Sequence, residues 1–227
     1  MKKPISNTTL LIIFLFLVTY LTDTQAQVQN DTSLIATHYV FPDFVLGSVK
    51  MKDGLTESAI MNYNMLTQEM IFEKDGVMLA LDSLVAIDTV YIESRIFVPH
   101  ENVFYEVLVR GPVSLFVQHK CNILAAGNPS GYGGTSETGA SRSLSSLTNS
   151  GRAYKLTLPS EFHVTDGTKF WIRRDNTFYK ANNSAQIINI FPEKGIEIKQ
   201  FIKQNKLDLK NTNDLVALVV KCNEFTR

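Results

Sequence analysis

From Val45 to Cys121, apolar and polar residues alternate with a period of two, in short runs cut by turn residues. Val49 and Met51 alternate with Ser48, Lys50 and Lys52, the pattern of a strand with one dry face and one wet face. Asp53-Gly54 follows, a pair that supplies the positive φ values of a two-residue hairpin, so the chain is expected to reverse there. The return strand falls near Ser58 to Tyr63. A third run sets Met70 and Phe72 against Glu69 and Glu73, and Asp75-Gly76 predicts a second reversal into Val77, Leu79 and Leu81. Further alternating runs cover Ile87 to Ile92, Arg95 to Val98, Val103 to Val109 and Val113 to Cys121. Glu93-Ser94 and Gly111-Pro112 are read as the reversals between them. In the last run Val113, Leu115, Val117, His119 and Cys121 share one face. Short reversals without helical crossovers predict an antiparallel meander. The runs from Val103 to Val117 are apolar on both faces, which places them in a sandwich, a partly open barrel or a sheet covered by helices.

Beyond residue 126 the rhythm stops. Residues 127–151 are rich in Gly, Ser and Thr, bury little apolar area, and read as a mobile loop. Strand pattern resumes at Tyr154, Leu156 and Leu158. Asp166-Gly167 is a turn signal, Thr168 to Arg174 carries the single Trp171, and Asp175-Asn176 reads as a hairpin tip before Phe178 to Lys180. This is a second, small β-unit.

The period then shifts to about 3.6. Asn183 or Ser184 caps a short helix through Ile190, and Pro192 suits a first helical position. Ile198, Phe201 and Ile202 form a dry stripe with Lys199, Lys203 and Lys206 outside. Asn211 or Thr212 caps a last helix whose apolar face is Leu215, Val216, Leu218, Val219 and Cys222. Such short helices need a sheet to dock on. The expected class is α+β, mainly β. The expected organisation is a leader over 1–26, a flexible segment over 27–44, an antiparallel β-domain over 45–126, the loop over 127–151, and the small β-unit with two or three helices over 152–227.

The chain opens with Lys2 and Lys3, an apolar run from Leu10 to Val18, and Thr24-Gln25-Ala26. That layout is a secretory signal peptide with cleavage expected after Ala26. The apolar run is short of the ~20 residues that span a bilayer. Gln27 rather than Cys follows the cut, against a lipid anchor. The expectation is a secreted or periplasmic protein with no transmembrane segment in its mature chain.

Net charge is zero over the 227 residues, so no global field draws nucleic acid. The distribution is uneven: Gln27 to Arg110 holds 5 basic and 12 acidic residues, a net of −7, whereas Thr168 to Arg227 holds 11 basic and 6 acidic, a net of +5. Two solvated surfaces, or two lobes that attract one another, are the expected reading, and a basic C-terminal surface for an anionic partner is the alternative. Nucleic-acid binding would need Lys199, Lys203, Lys206 and Lys210 on one face beside Arg173 and Arg174. The two cysteines, Cys121 and Cys222, leave two readings: a disulfide permitted by export, or two buried thiols acting as small hydrophobes.

Chemical motifs are sparse. Gly134 and Gly139 have P-loop spacing, but Ala140 stands where the phosphate-binding lysine belongs, and Ser136 breaks a dinucleotide fingerprint. Tyr132 and Arg142 in the Gly/Ser/Thr loop are candidates to hold a ligand. His38, His100, His119 and His163 lack ligand spacing, so no metal site and no cofactor are expected. His119 is the strongest single candidate, since it shares a strand face with Cys121. Glu69, Glu73, Glu93 and Glu106 read as outward, solubilising charge. Tyr63, Tyr91, Phe104, Tyr105, Trp171 and Tyr179 read as packing core.

Asn62-Tyr63-Asn64 with Glu69-Met70, Phe104-Tyr105-Glu106-Val107, Pro129 to Thr135, and the ending Phe191-Pro192-Glu193-Lys194 together resemble exported proteins of unknown function from Gram-negative bacteria. The resemblance implies an envelope setting and transfers no activity. The leading expectation is a non-catalytic module that binds an envelope protein or a small ligand, without catalytic residues. The alternative is a secreted hydrolase with a site assembled from scattered residues near His119. The neighbourhood of His119 discriminates: a carboxylate or second histidine in hydrogen-bonding reach inside a cleft favours the enzyme, and contacts to backbone alone favour the binder.

Overall fold

A computed structural model describes residues 38–125 and 162–225. The leader with its cut after Ala26, and the Gly/Ser/Thr loop with Tyr132 and Arg142, lie outside the described residues. The protein is mainly β. Ten strands form one antiparallel sheet: β1 (Val45–Met51), β2 (Thr56–Asn64), β3 (Glu69–Lys74), β4 (Val77–Ala80), β5 (Ile87–Ile92), β6 (Arg95–His100), β7 (Val103–Val109), β8 (Val113–Gln118), β11 (Lys169–Arg174) and β12 (Thr177–Lys180). β9 (Cys121–Ala125) and β10 (Phe162–Asp166) make a separate two-stranded ribbon, and α1 (Ser184–Ile190), α2 (Gly195–Gln204) and α3 (Thr212–Phe225) end the chain.

The turn chemistry builds the corners. Asp75 and Gly76 take φ of 53° and 75°, the doubly left-handed pair of a two-residue hairpin, and Lys74 pairs with Val77 across it. Asp175 and Asn176 do the same at 51° and 60° between Arg174 and Thr177. Asp53-Gly54 also lies in a reversal, but a longer one: β1 ends at Met51 and β2 begins at Thr56, with Met51 N–H donating to Leu55 O at 2.8 Å. The tip opens because the Asp53 side chain accepts from Leu55 N–H at 3.0 Å, an Asx turn rather than a two-residue corner.

Strand order is β12-β11-β8-β7-β6-β5-β1-β2-β3-β4. The sequence predicts consecutive strands side by side, and two joints depart from that. After β4 the chain crosses back through a 3-10 turn at Leu84–Ala86, so that β5 pairs with β1. The long run from Val113 also divides: β8 stops at Gln118, and Cys121 begins the ribbon. β11 and β12 then return to the free edge of β8 and extend the same sheet. The sheet curls. Tyr63 of β2 reaches Phe104 O of β7 at 3.4 Å and stacks on Phe97 of β6 at 5.9 Å between ring centroids. It does not close, since β12 and β4 stand at its two ends.

Two cores result. Inside the curl lie Phe41, Val49, Met61, Tyr63, Met70, Val90, Ile92, Phe97 and Phe104. Under the other end, the three helices cover β8 and β11 through Leu115, Val117, Ile172, Ile187, Ile198, Leu218 and Cys222. Caps fix where these helices start: Asn183 Oδ1 accepts Gln186 N–H at 2.9 Å, and Asn211 Oδ1 accepts Asn213 N–H at 2.9 Å. No helix among the described residues is long and apolar enough to cross a membrane.

Candidate functional site

The cleft between the two cores is built on three neighbouring strands. Phe97 of β6 pairs with Glu106 of β7, and Glu106 pairs with Val117 of β8. Arg95 stands two residues before Phe97, and His119 two after Val117, so all three polar side chains share a face along one diagonal. A bulge falls immediately beyond Glu106. Val107 pairs with Phe116 and Val109 with Leu115, leaving Leu108 as the extra residue. The bulge returns Val109 to the helix-covered face, although strict alternation puts it opposite Glu106.

Glu106 is therefore an inward carboxylate, correcting the expectation that it is surface charge; its side chain is 8% exposed. Arg95 grips it with both arms of the guanidinium: Nε donates to Oε1 at 2.7 Å and Nη2 to Oε2 at 2.5 Å. His119 Nε2 lies 2.6 Å from the same Oε2. A nitrogen that close to a carboxylate oxygen carries the proton, so His119 donates through Nε2. Arg95 Nη2 sits 2.9 Å from that nitrogen and directs its hydrogens to Glu106 instead. The other ring nitrogen, Nδ1, has no hydrogen-bond partner among the described residues and is not a sealed, unsatisfied atom.

Aromatic rings hold this cluster from behind. Arg95 Cζ lies 5.0 Å from the Phe41 ring centroid and 5.6 Å from that of Phe97. The His119 ring meets Tyr63 edge-on at 6.2 Å. Burial works to raise the Glu106 pKa. The hydrogen bonds from His119 and Arg95, with the guanidinium charge, outweigh it and leave the carboxyl below its ordinary value.

In front of the cluster opens a cavity of about 480 Å³. Leu108, Val117, Phe170 and Leu209 give it apolar walls, and Asp166, Thr168, Asn182, Lys210 and Thr212 give it a polar mouth. Lys210 and Asp166 have no ionic partner among the described residues. No group of three His, Cys, Asp or Glu among the described residues could hold a metal ion. The site joins a buried acid–base pair, a fixed cation and a half-open pocket of small-molecule size.

The sequence pointed to His119 and missed its partners. Arg95 and Glu106 looked like isolated strand charges. The signal lay in the Glu101-Asn102 corner, which pairs His100 with Val103 and so sets Glu106 opposite Phe97. Cys121 is not brought into a pair with His119. It and Cys222 are both buried free thiols, so the disulfide is not formed: Cys121 opens the β9–β10 ribbon while Cys222 packs in the helix-covered core. Burial pushes the two thiols up to about 11 and about 12. Arg173 packs over Phe116, whereas Arg174 is consumed by Glu193 at 2.9 Å and Ile190 O at 2.7 Å. Tyr63, Phe104 and Tyr105 are core, as read, and Tyr105 stacks on Trp171 at 5.8 Å. No protein-family model, no curated protein and no solved structure matches this chain, so the site is known by its geometry alone.

Proposed function

We propose that the protein is an exported binding module that takes a small polar ligand in the cleft over Arg95, Glu106 and His119. Export rests on the basic, apolar and small-residue layout of residues 2–26. The observation that carries the binding reading is the pocket of about 480 Å³ whose floor is a hydrogen-bonded ion cluster and whose mouth offers Lys210 and Asp166, neither with an ionic partner among the described residues. Pre-paired floor groups cost little to organise on binding, and the apolar walls exclude water from a ligand's body. The test is a titration with a panel of small acids, amino acids and sugars, followed by the ring resonances of His119. Binders that shift His119 and lose affinity in Lys210→Ala support the reading; a panel whose every binder perturbs residues away from the cleft overturns it.

A second reading has its own support. Glu106 lies in hydrogen-bonding reach of His119 inside a cleft, the arrangement set out above as favouring a hydrolase. Glu106 fixes the tautomer, and Nδ1 would take a proton from an attacking water. Binding is placed first because Arg95 engages both Glu106 oxygens and holds that carboxylate weakly basic. Among the described lining residues there is also no cysteine or serine nucleophile. Turnover of ester, amide or glycoside substrates that disappears in His119→Gln, with folding retained, would move the hydrolase to first place.

A further inference from the structure

Given a binding cleft over Arg95, Glu106 and His119, as proposed above, we infer that its ligand is a small zwitterion with an apolar body. A free amino acid with a large apolar side chain is the simplest member of that class. The lining carries two basic residues, Arg95 and Lys210, and two acidic ones, Glu106 and Asp166. Arg95 and Glu106 neutralise each other in the floor through two hydrogen bonds. Asp166 and Lys210 line the same mouth, yet neither forms an ion pair with the other or with any other group among the described residues. Two opposite charges held apart at one opening are bridged by a molecule that carries one charge of each sign. A ligand of a single sign meets one attractive and one repulsive group, so the mouth discriminates against it.

The backbone on both sides of the mouth is fixed, while the charged ends stay available. Asp166 Oδ1 accepts the Thr168 N–H at 2.9 Å, and the Gly167 N–H donates to Lys120 O at 2.9 Å. The β10–β11 turn is thereby held, and Asp166 Oδ2 has no hydrogen bond among the described residues. On the loop from α2 to α3, Asp208 Oδ1 accepts the Lys210 N–H at 3.0 Å, and Asp214 Oδ2 accepts the Asp208 N–H at 2.8 Å. Asn182 engages its Oδ1 with the Phe170 N–H at 2.9 Å, which leaves its Nδ2 as a further donor at the mouth. Neither lip has to be rebuilt to receive a ligand, which lowers the ordering cost of binding. Leu108, Val117, Phe170 and Leu209 take the apolar body out of water. A cavity of about 480 Å³ lies in the lower part of the ~300–1,000 Å³ range of small-molecule sites, so it holds one small molecule and not a length of polymer.

Isothermal titration of the full chain tests this, with the ring resonances of His119 reporting the place of binding. Phenylalanine and leucine should bind and move those resonances. N-acetylphenylalanine keeps the carboxylate and loses the ammonium, and phenylalaninamide does the reverse. Each should bind at least about tenfold more weakly than phenylalanine, the worth of one charged hydrogen bond. Glycine, with both charges and no apolar body, should also bind more weakly. Asp166→Asn retains an Oδ1 to accept the Thr168 N–H, and should erase the penalty for acetylation while keeping that for amidation. Lys210→Met should do the opposite. A variant that misfolds cannot produce this crossed pattern. Failure of both amino acids to bind, equal affinity for a masked form, or penalties that the variants leave unchanged overturns the assignment. If a sugar or a singly charged acid then moves the His119 resonances, the binding reading stands without the zwitterion; if every binder perturbs residues away from the cleft, that reading falls as well.

Discussion

Replacing Glu106 by Gln probes the cluster most directly, because the shape is kept and the charge removed. Three charge-assisted contacts are at stake: two from Arg95 and one from His119. Breaking one side of a buried pair costs about 3–5 kcal/mol when the orphaned charge stays dry. Here Arg95 is 28% and His119 17% exposed, so both recover part of their hydration. The glutamine carbonyl also still accepts one bond. The expected loss is about 2–3 kcal/mol at neutral pH. The pH dependence carries the sign. The folded carboxyl titrates below its ordinary value of 4.5, so its stabilisation is fully present above 4.5 and is lost as pH falls through the folded pKa. Urea unfolding of wild type and Glu106→Gln at pH 7, and again at steps below 4.5, gives the difference between them. That difference should shrink steadily as the solution becomes acidic. A difference that stays constant or grows toward low pH would show that the Arg95–Glu106–His119 contacts do not stabilise the folded chain in the way the geometry implies.

Other outcomes follow from the same structure. Asn62 is buried and binds Phe41 N–H, Phe41 O and Asp43 O, so Asn62→Ala should cost about 2–3 kcal/mol by leaving backbone groups unpaired. It should also speed hydrogen exchange at the Phe41 amide; unchanged exchange there would refute the role. A Cβ on Gly47 would stand 2.8 Å from Tyr91 O and 2.7 Å from Met61 Sδ, in the middle of the sheet. Gly47→Ala should therefore destabilise by about 1–3 kcal/mol in a thermal melt, and a neutral result would contradict the packing. Cys121 and Cys222, with thiols at about 11 and about 12, should resist a thiol reagent near pH 8 in the folded protein and react together on denaturation. Rapid reaction of either in the folded state would count against their burial.

The sequence by itself determined the local elements. Period-two alternation marked the strands, Asp75-Gly76 and Asp175-Asn176 supplied left-handed corners, and Asn183 and Asn211 capped helices, because each of these depends on residues within a few positions of one another. The use of Asn62 was not legible: it ties down a segment about twenty residues earlier, a contact no short-range pattern encodes. The tertiary structure alone decided that β5 returns to β1, that β11 joins β8, and that a bulge at Leu108 shifts the inward set. It also decided that Glu106, an ordinary strand charge to the eye, faces inward. Register across two hairpins and the curl of the sheet bring Arg95, Glu106 and His119 onto one diagonal. Those are sums over many weak pairings far apart in the chain, and the hydrophobic rhythm that makes each strand does not by itself specify them.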